Sequence, residues 1–424
     1  MKFRELHPNI RLRVAETFFS DTISGMIFPF MAIYFAQKLG AGLTGLLLTV
    51  NITIGIVASF YGGYISDKIG RKKLWAYSEI ARFLAVAIMA FVNSPFIHSD
   101  QTAALVTIGM LLISNICMGF SGPAASAMLI DVSTPDNRNF MYSVTFWSNN
   151  MAAALGSLLG GFLFKDYLFE LFAFLAVAHL ISAIVVTFFI TETYVPNKEG
   201  TLQKVSVAKD IIQKYSVVLK DKLFLLFTVA YLLIVSLEFQ LPNYIGIKLS
   251  ESMEPQSIVP FLNFEIDGIN ALGILRAENT IIIVIFMFFI NRLVSRFKNK
   301  HVWLIGFSLF SVGYVAISIS NNAAILILFM LIASIGELMY YAPHKSYLAV
   351  LPPDHLRSSY IAVNDLVIRL SYLIAYLSIS LSAFLPPVVM TAIFAMMAVG
   401  GMSIFIKILP SLEAKNEMAR DQIA

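Results

Sequence analysis

Residues 62–75 read GGYISDKIGRKKLW, a short basic loop between two long apolar runs at 43–66 and 74–94. A run of about 20 mostly apolar residues is enough for a helix to cross a bilayer. Loops rich in Lys and Arg stay on the cytoplasmic side of a membrane. The stretch therefore predicts a tight cytoplasmic turn between two membrane-spanning helices.

The composition of the whole chain is that of a polytopic membrane protein. Of its 424 residues, 58% are hydrophobic and 13% are charged, and the mean hydropathy is +0.78. Soluble domains average about 45–50% apolar and about 25% charged residues. We expect an all-α integral membrane fold with twelve spans, at 14–38, 43–66, 74–94, 102–124, 140–164, 168–191, 223–247, 269–292, 302–320, 323–342, 359–384 and 387–408.

The eighth span includes charged residues. Its purely apolar part, Ile281–Ile290, is too short to cross a bilayer, so the helix must begin well before Ala277 and include Arg276 and Glu278. A charged half-helix should face protein or water and not lipid. Arg276 and Glu278 are therefore candidates for an external gate or for a site that binds an anionic group.

The distribution of Lys and Arg predicts the orientation. Most basic residues between the spans lie on the side shared by the two termini, and only Lys38, Lys165 and Lys248 lie on the other. This bias places both termini in the cytoplasm. We expect a multi-pass protein of the plasma membrane. The net charge of +4 reflects the same bias, so we expect no nucleic-acid partner. The N-terminal leader has no small-residue cleavage site, so the first span should be retained.

The chain divides into two six-helix halves, 1–191 and 223–424, joined by a cytoplasmic linker at 192–222. The loop after the eighth span, NRLVSRFKNKHVW at 291–303, matches the loop at 62–75 in charge and position. Two such halves are the outline of a 6+6 secondary transporter. Apolar residues recur at helical spacing in the linker, which indicates a helix on the membrane surface or a plain tether: Leu202, Val205, Ile212, Tyr215 and Leu219.

Two spans carry a carboxylate within an apolar run. These are Glu238 in YLLIVSLEFQLPNYIG (231–246) and Glu337 in LILFMLIASIGELMYYAPHK (326–345). A charge at the bilayer centre costs at least about 2.5–3.5 kcal/mol on insertion scales, and a carboxyl avoids much of this cost by binding a proton. Such a group can exchange its proton for a cation on one side of the membrane and release the cation on the other. The alternative is a neutral, hydrogen-bonded structural Glu.

Other intramembrane charges allow several interpretations. Asp21 shares a helical face with Thr17, Ser20 and Ser24, and we expect that face to line a cavity. The spacings of Glu79 with Arg82 and of Asp365 with Arg369 allow ion pairs within a helix. We interpret the first pair as structural and leave the second open.

The sequence gives no sign of a metal site, a nucleotide-binding site or a catalytic site. His179 is interpreted as a packed, hydrogen-bonded histidine. The single cysteine, Cys117, rules out a disulfide or cysteine-based metal framework. The sequence has no nucleotide-binding loop and no nucleophile–base arrangement. We expect neither an enzyme nor a cofactor, and a proton gradient as the energy source.

The stretch Gly63–Lys73 resembles the signature of the major facilitator superfamily, G-x-x-x-D-x-x-G-R-K/R-x between spans two and three. The glycines permit a tight turn, and the charged residues can make charge-assisted hydrogen bonds to neighbouring helix ends. The alternative is that the basic residues only fix topology. The resemblance implies a conformational switch made of Gly63, Asp67, Gly70, Arg71 and Asp131.

Within that superfamily the chain looks most like the LmrP-type multidrug–proton antiporters. The resemblance lies in the segments 130–138, 146–150, 155–161, 238–242, 264–268 and 336–340. It implies a bacterial exporter of lipophilic, often cationic compounds, as in antibiotic resistance, with Glu238 and Glu337 as its embedded acids. We expect the protein to be a monomer. The chain departs from the family in two spans. In span five it has Thr145 where the family has an acid, and in span one it has an acid, Asp21. The span-four arginine of the superfamily is also absent, which affects stoichiometry and substrate range.

Protons, lipophilic small molecules and membrane lipids are the expected partners. A lipid or lysolipid flippase, an exporter of one metabolite and a non-transporting receptor or scaffold are the alternatives. Four aromatic residues near the acids are candidates for stacking on a flat cation: Phe239, Tyr244, Tyr340 and Tyr341. Small residues at intervals of four, Ala152, Gly156 and Gly160, predict close helix contact, and prolines predict kinks at Pro29, Pro242 and Pro343.

Overall fold

A computed structural model describes residues 3–97, 99–193, 218–258, 265–294, 296–353 and 357–421. Helices account for most of these segments, as expected for long apolar runs that must satisfy their backbone groups internally. The predicted linker positions Leu202 to Tyr215 lie outside the described residues.

The first half of the chain consists of seven consecutive α-helices in the described residues. A 3₁₀ turn at Phe28–Phe30, which contains Pro29, joins the first two into one span, Pro8–Leu39. A π-turn at Val185–Phe189 ends the half. The helices are α1 (Pro8–Ile27), α2 (Met31–Leu39), α3 (Ala41–Ile69), α4 (Arg71–Val92), α5 (Asp100–Asp131), α6 (Pro135–Leu163) and α7 (Leu168–Ile184).

The second half repeats this pattern after the linker. A two-stranded antiparallel hairpin, β1 (Gln256–Ser257) with β2 (Glu265–Ile266), precedes its second span and pairs Gln256 with Ile266. The helices are α8 (Lys222–Val235), α9 (Gly246–Ser252), α10 (Gly268–Val294), α11 (Asn299–Ile319), α12 (Ala323–Val350), α13 (Arg357–Ser382) and α14 (Pro387–Asp421).

Eleven helical segments of the described residues have the length and hydropathy of a membrane span. The fifth predicted span, 140–164, corresponds to α6, which has 29 residues but is not among the eleven. Its hydropathy is lower because it carries polar side chains. Three of them, Asn149, Asn150 and Ser157, line internal cavities. A span that faces a cavity can carry polar groups that a lipid-facing helix cannot.

The span around Glu238 is broken. Helix α8 ends at Val235, a 3₁₀ turn covers Glu238–Gln240, and a π-turn leads into α9. Asn243 has non-helical backbone angles, φ −112° and ψ −106°. The kink predicted at Pro242 therefore forms. Pro343 lies inside α12, and a kink there stays a prediction. The eighth span begins at Gly268, so α10 includes Arg276 and Glu278 as the sequence predicts.

The two ends of the helix bundle differ in how the halves meet. We call the end where α1 begins and α14 ends the terminal side, and the end that holds Gly40, Lys165 and Asp267 the distal side. On the distal side the halves touch, because α6 packs on α10 and α3 packs on α13. The hydroxyl of Ser380 donates to the carbonyl of Gly42 there (3.1 Å). The distal side is therefore closed.

Candidate functional site

A cavity of about 470 Å³, here called the central cavity, lies between the two halves. Helices α1, α3, α4, α5 and α6 contribute to its wall from the first half, and α10 and α13 from the second. Its polar lining comprises Asp21, Ser24, Asn51, Arg82, Ser114, Asn115, Asn149, Ser157, Asn243, Arg276, Tyr372 and Tyr376. The cavity thus combines one carboxylate, two guanidinium groups and many amide and hydroxyl groups.

The helical face predicted from Asp21 partly lines this cavity. Asp21 and Ser24 belong to the wall. Ser20 is buried in the helix packing instead, and the hydroxyl of Thr17 lies 3.4 Å from the carboxylate of Glu16. The predicted face of α1 therefore lines the cavity only from Asp21 onward. The cavity wall continues toward the distal end of α1 and does not include the beginning of the helix.

Glu337 lies on α12 and is held by an amide from α10. Asn279 Nδ2 lies 3.0 Å from Glu337 Oε2, to which it donates a hydrogen bond, and 3.1 Å from Ser334 Oγ. A pocket of about 140 Å³ adjoins this carboxylate, with Phe146 and Asn150 of α6 and Tyr341 of α12 in its wall. Glu337 therefore faces a pocket formed by both halves.

Glu238 lies in the broken segment that follows α8. It is half-buried and lies within electrostatic range of both Glu337 and Arg276. Arg276 in turn donates from Nε to the hydroxyl of Ser157 on α6, at 3.2 Å, and so bridges the halves. The structure thus places two predicted acids and one predicted basic residue within electrostatic range of one another, and each carboxylate can bind a proton or a cation.

A second charged cluster occupies the first half. Arg82 pairs with Glu79 at 3.1 Å, which forms the first of the two permitted ion pairs. His179 Nδ1 lies 2.9 Å from the other oxygen of Glu79, and this histidine is fully buried, as predicted for a packed residue. Asp21 lies within electrostatic range of Arg82. The sequence did not predict that Arg82 reaches the cavity, because its spacing from Glu79 indicated only a structural pair.

The second permitted ion pair does not form in the described part of the chain. Asp365 is exposed, and Arg369 lies beside a different pocket of about 420 Å³. That pocket shares Asn115 and Met118 with the central cavity and extends along α5 to Ser126, toward the terminal side. Arg369 therefore lies beside a pocket that extends from the central cavity toward the terminal side.

The four candidate aromatic residues separate into two groups. Tyr341 lines the pocket beside Glu337, and Phe239 packs edge-on against Tyr372 of the central cavity, with ring centroids 4.4 Å apart. Tyr340 is buried against Phe307 and Phe310. Tyr244 packs edge-on against Phe394 at 5.5 Å. Of these four, Tyr341 lines a pocket and Phe239 contacts a residue of the cavity wall.

The signature loop between α3 and α4 turns at Gly70, whose φ of +98° favours glycine. Arg71 pairs with Asp131 at the end of α5. The hydroxyl of Thr193 donates to the same carboxylate at 2.7 Å. Both Gly63 and Asp67 belong to α3, but their side chains lie outside the described part. These contacts connect the signature loop with the end of α5 and with the beginning of the linker.

Two further contacts were not predicted. Asn279 was missed because an amide inside an apolar run gives no sequence signal for its partner. Glu192 Oε2 accepts from the backbone N–H of Lys72 at 3.0 Å, which adds a second connection between the linker and the signature loop. Glu278, beside Arg276, is half-buried, and its Oε2 has no hydrogen-bond partner among the described residues.

Comparison with known proteins identifies the family and the fold. The sequence model of the Major Facilitator Superfamily matches residues 17–264. A Na⁺, Li⁺, K⁺/H⁺ antiporter of Planococcus maritimus is 30% identical over 392 residues, which cover 91% of this chain and 92% of that protein. The multidrug resistance protein MdtH of Proteus mirabilis (strain HI4320) is 26% identical over 200 residues, 44% of this chain and 46% of that protein. The crystal structure of a peptide transporter POT in complex with sulfate has a TM-score of 0.72 at 16% identity, and the match covers 97% of this chain and 96% of that chain.

Proposed function

Since the chain belongs to the Major Facilitator Superfamily, we propose that it is a proton-coupled antiporter that exports lipophilic, often cationic compounds by alternating access. The observation that carries the proposal is the position of Glu337. Its carboxylate is held by Asn279 beside a pocket shared by both halves, and Glu238 lies within electrostatic range. A carboxylate at that place can pair with a proton or with a cargo cation, and movement of the halves can change the side it faces.

The proposed cycle begins with the distal side closed. We take the terminal side as cytoplasmic because Lys and Arg are concentrated there. Cargo enters from the cytoplasm and displaces a proton from the pair of acids. The halves then rock so that the terminal side closes and the distal side opens, and a proton from outside displaces the cargo. Intramembrane carboxylates of this kind are functional by default.

The walls of the smaller pocket favour organic cations. Phe146, Met287 and Tyr341 surround the carboxylate of Glu337. Aromatic faces attract cations, and methionine adapts its shape to different ligands. These groups support a lipophilic cargo, and the likeness to MdtH, a multidrug resistance protein, agrees with it.

Export of alkali cations is the second candidate. The relative of Planococcus maritimus is named a Na⁺, Li⁺, K⁺/H⁺ antiporter. The central cavity offers oxygen atoms from Asp21, Ser24 and four asparagines, and hard cations prefer oxygen ligands. Under this alternative Asp21, the carboxylate of the central cavity, would exchange its proton for a metal ion there.

One assay separates the candidates. The full chain is reconstituted in liposomes, a pH gradient is imposed, and the movements of ethidium, of Na⁺ and K⁺, and of a fluorescent lipid are followed in parallel. Accumulation of ethidium against its gradient supports drug export, and accumulation of Na⁺ or K⁺ alone supports the second candidate. Lipid movement alone would replace both with a flippase.

The glutamate at the centre of the proposal is tested in the same liposomes. We expect Glu337→Gln to abolish gradient-driven transport, because a neutral amide cannot bind and release a proton. Glu254→Gln, at an exposed position of the distal loop, is the control and should transport like the wild type. A Glu337→Gln protein that still concentrates cargo against its gradient would exclude the proposed coupling.

A further inference from the structure

A stacked pair of rings, Tyr231 of α8 and His344 of α12, lies in the second half. The ring centroids are 3.7 Å apart and the ring planes are inclined by 20°. Phe227 stacks on the imidazole as well, with centroids 4.9 Å apart and an angle of 8°. His344 is 0% exposed, so a titratable ring is enclosed between two aromatic side chains.

This pair lies at a regular distance from the two acids. Tyr231 precedes Glu238 by seven residues, and His344 follows Glu337 by seven. Because α8 begins on the terminal side and α12 ends there, both rings lie on the terminal side of the acids, by roughly 10 Å at 1.5 Å per residue. Tyr231 also lies within electrostatic range of both glutamates. The acids and the rings thus form two consecutive layers between the same helices.

Polar atoms around His344 lack partners. Both ring nitrogens of His344 and Oδ1 of Asn364 on α13 are buried without a hydrogen-bond partner among the described residues. Asn364 is 5% exposed and its side chain lies next to the imidazole. Buried polar atoms are nearly always satisfied, and ordered water is the usual partner where the protein supplies none. The adjacent Asn364 side chain can satisfy at most one of the two imidazole nitrogens, so the other nitrogen is available to an ordered water.

We propose that His344, with Tyr231 and bound water, relays protons between the acids Glu238 and Glu337 and the terminal side. The imidazole accepts a proton on one nitrogen and releases the proton of the other, so the ring gains and loses one proton per transfer. The imidazole returns to its first tautomer before the next transfer, and the relay consumes no other reactant. The titratable groups that face it are Tyr231, Tyr340, whose ring lies 6.4 Å from that of Tyr231, and the exposed Lys345. This relay rests on the proposed function, because it delivers protons to the acids assigned there.

The experiment compares two modes of transport by the full chain in liposomes. Gradient-driven transport requires proton transfer, whereas exchange of labelled for unlabelled ethidium at equal pH does not. We expect His344→Gln, which retains hydrogen-bonding groups but cannot carry a proton, to slow driven transport at least tenfold and leave exchange within twofold of the wild type. His301→Gln, at an exposed histidine of α11, is the control and should change neither mode.

A second variant tests whether an imidazole is needed for proton transfer, without relying on the glutamine side chain of His344→Gln. His344→Ala leaves a space of imidazole size, and added imidazole should restore driven transport. Driven transport at the wild-type rate in His344→Gln would overturn the relay, as would a loss of driven transport and exchange together, which indicates a structural role. If Glu337→Gln also transports normally, the proposed function fails; if Glu337→Gln is inactive and His344→Gln is normal, only the relay fails.

Discussion

Gly161 on α6 and Gly273 on α10 meet backbone to backbone across the two halves. A Cβ atom on Gly273 would lie 2.6 Å from the Cα of Gly161, and one on Gly161 would lie 2.9 Å from the Cα of Gly273. Beside them, the side-chain amide of Asn270 donates to the carbonyl of Gly161 at 2.8 Å. Small residues let helix backbones approach closely, and this contact joins the two halves on the distal side.

We expect Gly273→Ala to prevent full closure of the distal side. The new methyl group would also lie 2.6 Å from the carbonyl oxygen of Ser157, so backbone atoms would have to move apart. Driven transport should fall at least tenfold. In a Cys117→Ala background, the distance between spin labels on cysteines introduced at Asp166 and Glu254 should increase.

Gly109→Ala is the matched control for this substitution, because a Cβ atom there would meet no atom within 4 Å. It should transport normally and leave the label distance unchanged. If Gly273→Ala shows the wild-type distance and rate, the glycine contact does not determine closure.

Asp267 has two roles at the beginning of α10, and their effects on stability should differ. One carboxylate oxygen accepts from the backbone N–H groups of Ile269 and Asn270, both at 2.9 Å, and the other lies 3.5 Å from Lys165 Nζ. Losing a helix cap costs about 1 kcal/mol, whereas an exposed ion pair contributes about 0–1 kcal/mol. Asp267→Ala should therefore lower the thermal midpoint of the purified protein more than Lys165→Ala.

The double variant checks this assignment. If the ion pair is the only role of Lys165, Lys165→Ala should have no further effect in the Asp267→Ala background. A larger loss of stability from Lys165→Ala than from Asp267→Ala would contradict the capping role.

Asn279 should determine how tightly the acid on α12 holds cargo. Its amide orients the carboxylate of Glu337, and a hydrogen bond to a charged group contributes roughly 1.5–3 kcal/mol. Asn279→Ala should therefore weaken ethidium binding roughly tenfold or more, measured by fluorescence titration of the purified protein. Ser334→Ala is the control, since it retains the bond between Asn279 and Glu337 and should change affinity less than twofold. Equal affinities for both variants would show that the amide does not support binding.

The sequence predicted the charged residues of the site better than their partners. Arg276 could be placed inside a span because the apolar run after it is too short to cross a bilayer, and Glu337 stands out as one acid among apolar residues. Asn279 lies 58 positions from Glu337, and such a contact depends on how α10 packs against α12. The break at Glu238 was likewise unexpected, because Pro242 predicts a kink but not the unwinding that precedes it.

Asp131 connects the signature loop to the linker, and its charge should affect movement more than binding. Its carboxylate pairs with Arg71 and accepts from Thr193, at the terminal end of α5 and away from the pocket of Glu337. We expect Asp131→Asn to slow driven transport at least fivefold, because the amide cannot hold the guanidinium equally well, and to leave ethidium affinity within twofold of the wild type. Asp166→Asn, at an exposed distal position, should alter neither quantity. A loss of affinity that matches the loss of rate would show that Asp131 acts on the binding site and not on the switch.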